Sequence, residues 1–212
     1  LFDGGALGEG RYELDADVYY KNMKNLPLFK QSFSSADPAN LAQDVTLGVG
    51  WAYGFELSFQ YSNAGTSSFV NYTISKAWRK YADKNAGEPF PAKFDRTHQI
   101  NVFIDHRLSE RWAIGSQFVA ASGQPFSVPH QTYFINGIDG RNENYEGVIY
   151  YGKLNSFRLP FYNRLDLSVT YSFLWIGGAL DLFVSIYNVY GYRNPIFIRY
   201  DLDKKKFLSN SI

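Results

Sequence analysis

Histidines and carboxylates are where chemistry would start, and the chain offers few sets of them. Three histidines, His98, His106 and His130, are the only imidazoles in 212 residues, and no cysteine is present. His98 and His106 fall on one parity of an alternating segment, but eight extended residues put them about 26 Å apart, too far for one metal ion. His130 lies in a polar stretch with no ligand-spaced neighbour. Without thiols there is no thiolate metal site, cysteine nucleophile or disulfide framework. GGALGEG, Gly4 to Gly10, has the glycine content of a phosphate cradle, yet an alternating segment follows it, so no helix terminus would face the anion. A turn is the reading that stands. No serine sits in a nucleophile-elbow pattern, and the carboxylates are spread through alternating segments. The chain reads as a non-enzyme with no cofactor and no metal.

The carboxylates do share a pattern. In WAYGFELSFQYS, Trp51, Tyr53, Phe55, Leu57, Phe59 and Tyr61 hold one parity, and Glu56 and Gln60 fall on the other among small residues. Six further segments repeat it. Leu14, Ala16, Val18 and Tyr20 oppose Glu13, Asp15, Asp17 and Tyr19; Val70, Tyr72 and Ile74 oppose Asn71, Thr73 and Ser75. Ile100, Val102 and Ile104 oppose Asn101, Phe103 and Asp105, and Trp112, Ile114, Phe118 and Ala120 oppose Ala113, Gly115, Gln117 and Val119. Leu165, Leu167, Val169 and Tyr171 oppose Arg164, Asp166, Ser168 and Thr170. The seventh sets Leu180, Leu182, Val184 and Ile186 against Asp181, Phe183 and Ser185. Period two dictates strands with one apolar and one polar face.

A soluble antiparallel sheet alternates in the same way, so length, polar composition and connections must separate the cases. Trp51 to Tyr61, at about 3.3 Å per residue and a tilt near 45°, rises roughly 25 Å, the height of an outer-membrane apolar band. The polar parity carries both signs of charge in mid-strand, which suits a wet lumen lined by Glu56, Gln60, Asn101, Asp105, Arg164, Asp166 and Asp181. Connections alternate between short (63–67, 109–111, 174–178) and long (21–45, 80–96, 123–160), and the long ones read as loops without structure of their own. Tight turns on one side and long loops on the other are the habit of a membrane barrel. The expected fold is therefore all-β, a transmembrane antiparallel up-and-down barrel, with Trp51, Tyr53, Phe55, Leu57, Phe59, Tyr61, Leu165, Leu167, Val169 and Tyr171 facing lipid.

Composition agrees. With 45% hydrophobic and 18% aromatic residues the chain can embed much apolar surface, while a net charge of +1 with no basic stripe argues against nucleic acid. The long connection combines Tyr133, Phe134 and Tyr145 with Asn136, Asp139 and Arg141, pairing stacking surfaces with planar hydrogen-bonding groups. This is the candidate ligand-contacting loop.

With the strands placed, the order and spacing of several phrases resemble the carboxy-terminal barrel of TonB-dependent outer-membrane receptors, particularly the SusC-like nutrient importers. They are YELDADVYYKNMKNLPLF, AYGFELSF, FDRTHQINV before HRLSERWAIGSQF, ASGQPF, RLPFYNRLDLSVTYSF and YNVYGYRNP. The resemblance implies a 22-stranded barrel around an amino-terminal plug, energised through the TonB complex in a bacterial outer membrane. It also implies import of a bulky nutrient such as a glycan, peptide or siderophore, and allows a surface lipoprotein lid as partner. Seven strands are complete here and an eighth begins at IFIRYD, so residues 1–212 are expected to be a carboxy-terminal segment of the barrel without plug or final strand. The alternatives from other classes are a passive pore or adhesin built on a barrel, and a soluble β-sheet binding module.

Overall fold

The computed structural model describes residues 2–4, 10–29, 45–135, 146–201 and 206–211. Seven long strands form one antiparallel meander. They are β2 (Arg11–Phe29), β3 (Val45–Ser62), β4 (Thr66–Lys80), β6 (His98–Arg107), β7 (Trp112–Ala121), β12 (Tyr162–Trp175) and β13 (Gly178–Ile186). A short strand β1 (Phe2–Gly4) pairs with β2, and β5 (Phe90–Pro91) pairs with β4. The sheet runs β1-β2-β3-β4-β6-β7-β12-β13, so each long strand neighbours the next one in sequence. The expected all-β, up-and-down antiparallel fold is what the chain adopts.

Short turns close one rim by local hydrogen bonds. Asn63 Oδ1 accepts from the amides of Gly65 (2.9 Å) and Thr66 (2.6 Å), and Ser109 Oγ accepts from those of Arg111 (3.3 Å) and Trp112 (3.1 Å). These side chains bend the backbone as it reverses. Between β12 and β13 the reversal uses Gly177, whose φ of +81° is open to glycine at no steric cost.

The opposite rim is built differently from the sequence expectation. Lys21–Phe29 continues β2 instead of starting a loop. Alternation breaks at a bulge between Met23 and Leu26, where Asn25 takes φ +57°, and period-two reading stops there although pairing with β3 resumes at Leu26↔Gly48. The described residues of 123–160 likewise hold structure. Strand β8 (Pro125–Phe126) pairs with β11 (Phe157–Arg158), and β9 (Pro129–Ile135) pairs with β10 (Glu146–Tyr151). Past β13, β14 (Pro195–Asp201) takes up the strand begun at IFIRYD, and β15 (Lys206–Ser211), which alternation did not reveal, pairs with it.

Among the described residues the sheet has no core on either face. The buried hydrophobics are Tyr81, Phe90, Ala92, Ala120, Ala121 and Leu159, all at the rim of long connections.

Candidate functional site

Register carries two surfaces across the strands. One row of the apolar face runs Leu14↔Phe59↔Val70↔Val102↔Phe118↔Leu165, and the next runs Tyr61↔Ser68↔Ile104↔Ser116↔Leu167. Trp51, Tyr53, Phe55, Leu57, Phe59 and Tyr61 on β3 thus share one continuous face with Leu165, Leu167, Val169 and Tyr171 on β12. Rings gather at its two ends. Near the short turns Trp112 meets Tyr171 at 4.6 Å and Tyr12 meets Tyr61 at 4.8 Å between centroids, while Trp51 stands opposite Trp78 towards the other rim.

The polar face is equally continuous. Its rows include Glu13↔Gln60↔Phe69↔Phe103↔Gln117↔Asp166 and Asp17↔Glu56↔Thr73↔Gln99. Asn101 pairs with Asn71, Asp105 with Ser67, and Asp181 with Ser172, on the same side. Alternation put Phe103 on this face, and register stacks it on Phe69 at 5.3 Å between centroids. A recess of about 370 Å³ opens beside them, bounded by Phe103, Asp105, Gln117, Asp166, Phe183 and Tyr187.

Arg164 is committed to its neighbours. Its Nε lies 3.0 Å from Asp166 Oδ2, Nη1 donates to the Tyr187 hydroxyl at 2.7 Å, and the guanidinium sits 4.3 Å from the Tyr187 ring. Asp166 Oδ1 accepts the Asn188 amide at 2.9 Å, and the Asn194 side chain bonds both backbone groups of Asn163 at 2.7 and 2.8 Å. Together these groups fix the reversal after β13, in which Asn188 (φ +53°) and Gly191 (φ +63°) take left-handed conformations. YNRLDL and YNVYGYRNP are therefore two halves of one clamp.

A second clamp ties the long connections to the rim. The Asp95 side chain is 2% exposed; it accepts the Ala77 amide at 2.7 Å and a charged hydrogen bond from Arg158 Nη2. Arg158 Nη1 also donates to the carbonyls of Gly123 (3.1 Å) and Asp95 (3.3 Å). Asn155 Nδ2 donates to the Pro91 carbonyl at 2.8 Å, and Asn85 Oδ1 accepts the Leu154 amide at 2.8 Å. Burial pushes the nearby Tyr81 phenol up, with Arg79 opposing, and lowers the Arg96 guanidinium, with Tyr162 opposing.

His98 and His106 both point to the apolar face and are occupied locally, His98 Nδ1 with the Tyr72 hydroxyl at 2.7 Å and His106 Nδ1 with Thr66 Oγ1 at 2.8 Å. Among the described residues no three His, Asp or Glu side chains converge on a metal-sized site. Of the candidate ligand loop, Tyr133 and Phe134 lie in β9, whereas Asn136, Asp139, Arg141 and Tyr145 lie outside the described residues. Sequence reasoning passed over the Asp95–Arg158 clamp and Lys76, a cation on the apolar parity of β4.

An antiparallel meander with one continuous apolar face, one polar face and connections sorted by rim is the wall of an up-and-down membrane barrel. The family described as TonB dependent receptor-like, beta-barrel matches residues 2–189, and the chain belongs to that family. No curated protein and no solved structure matches the chain. The family comprises transporters of the bacterial outer membrane, so the chain is part of a TonB-dependent transport barrel.

Proposed function

We propose that this chain forms part of the wall of a SusC-like importer that carries a bulky nutrient, such as a glycan, peptide or siderophore, across the outer membrane. On this reading the apolar face meets lipid, the polar face lines the lumen and the long connections stand outside the cell. A TonB-contacting segment and plug belong to other parts of the receptor, and a surface lipoprotein lid is a candidate partner.

The observation that carries the reading is the uncovered apolar face. Val18, Tyr20, Tyr53, Phe59, Ile74, Ile104, Ile114 and Val169 are all exposed, and no described element packs over them. Soluble monomers seldom expose more than a few hundred Å² of contiguous apolar surface, and a sheet of this size exceeds that. The ten residues between the Trp51 row and the Tyr61 row correspond to a rise of roughly 25 Å at the usual barrel tilt, which matches ring girdles at two membrane interfaces.

Paired arginine substitutions test which face meets lipid. Leu57→Arg, midway along β3 between Trp51 and Tyr61, should cost about 2–4 kcal/mol of folding into bilayers of the full-length receptor, while Thr73→Arg, on the polar face opposite Glu56, should cost less than about 1 kcal/mol. Denaturant titration in vesicles gives both values, and equal costs would overturn the assignment. The connection bearing Tyr133, Phe134, Asn136, Asp139, Arg141 and Tyr145 is proposed to help capture cargo. Deleting residues 132–147 should weaken cargo binding and uptake, and unchanged affinity would remove it from the site.

A further inference from the structure

The apolar face carries an amine inward of its Trp51 and Trp78 rings. Lys76 stands opposite Tyr53 on β3, with Tyr20 beyond it on β2, one row inward of the Trp51 and Trp78 pair. Among the described residues its Nζ has one hydrogen bond, to Thr97 Oγ1 at 2.8 Å, and no carboxylate partner. Beside it runs a groove of about 380 Å³, lined by Val18, Tyr53, Phe55, Ile74, Lys76 and Thr97, with the backbone of Gly54 as floor. Gly54 has no side chain to send to the opposite face, and the Tyr19 hydroxyl lies 2.8 Å from where its Cβ would stand.

Resting on the reading that this face meets lipid, we infer that the groove is a binding site for an anionic lipid. One acyl chain lies against Val18, Phe55 and Ile74, and the headgroup phosphate lies on the Lys76 ammonium. Charge complementarity selects this occupant. An apolar channel alone holds any acyl chain, but an ammonium at its mouth, on the headgroup side of the apolar field and with no carboxylate beside it, attracts a phosphate. Tyr53 and Tyr20 lie at the level where amphipathic rings favour the membrane interface. A lysine that only reached past the groove to water would hold no headgroup preference, and that alternative is an outcome of the test.

The experiment uses the full-length receptor in phosphatidylcholine vesicles doped with phosphatidylglycerol or phosphatidylcholine bearing a diazirine on the acyl chain. After photolysis, adducts are mapped to the peptides containing Val18, Phe55 and Ile74. Adduct yield from phosphatidylglycerol should exceed that from phosphatidylcholine by about fivefold, the effect of one basic side chain near the surface. Lys76→Gln should bring the two yields together, and Lys76→Arg should restore the preference. Equal yields from both lipids in the unaltered receptor would overturn the anionic site while leaving the face in lipid. A preference that survives Lys76→Gln would equally overturn it. No adduct from either lipid would show that the face does not meet the bilayer, and the orientation proposed for the wall would fall with the site.

Discussion

Replacing Arg158 by methionine in the full-length receptor should speed amide exchange across residues 90–97 and 122–126 by about two to three and a half orders of magnitude. The variant leaves the Asp95 carboxylate buried with the Ala77 amide as its remaining side-chain contact. Removing one partner of a buried ion pair costs about 3–5 kcal/mol, because the other charge stays desolvated and unpaired. Arg158 is about a third exposed, so the reverse change, Asp95→Asn, leaves a guanidinium that can turn towards water. Its cost should be distinctly smaller, and the double variant should recover part of the loss in Arg158→Met. Hydrogen exchange read by mass spectrometry resolves this rim from the membrane strands. Equal effects of the two single variants would mean that Asp95 is not held as a buried charge.

Gly123→Ala should cost more than about 3 kcal/mol at the same rim, through sterics with no charge involved. A Cβ at Gly123 would run into the backbone carbonyl of Leu159, which cannot rotate aside as a side chain would. The two segments approach closely because β8 and β11 pair there, with Leu159 N donating to the Gln124 carbonyl at 2.9 Å and Arg158 bonded to the Gly123 carbonyl itself. Gly178→Ala is the control. Nothing lies within 4 Å of its added Cβ, and its effect should stay within about 0.5 kcal/mol. Exchange protection in 122–126 and 154–159, together with the yield of heat-resistant barrel, reads both variants. Similar behaviour of the two glycine variants would refute the close approach.

Both tests probe the part of the wall where the described residues bury a conventional core. Elsewhere the strands gain their backbone hydrogen bonds from neighbours in sequence and leave both faces uncovered by described elements. That arrangement suits a bilayer on one side, where every backbone group must be paired internally. The proposed transport role needs the same division, with apolar side chains turned to lipid and polar ones to the path of cargo.

Alternation was legible without any structure. Side chains of a strand alternate with period two whatever the neighbours are, so Trp51 to Tyr61 and Arg164 to Tyr171 divided into two parities before any pairing was known. The order of strands was also legible, because short polar connections such as 63–67 leave adjacent antiparallel pairing as the simplest outcome. Tertiary structure decided what period two does not encode. The bulge at Met23 to Leu26 shifts the alternation by one, so β2 continued unseen to Phe29. Asp95 and Arg158 stand 63 positions apart, and only the folding of both connections onto Ala77 and Gly123 makes them a pair. Lys76 shares the parity of Val70, Tyr72 and Ile74, but only register brings it beside Tyr53. Alternation is a local property of one chain segment, whereas an ion pair or a groove belongs to strands brought together by pairing.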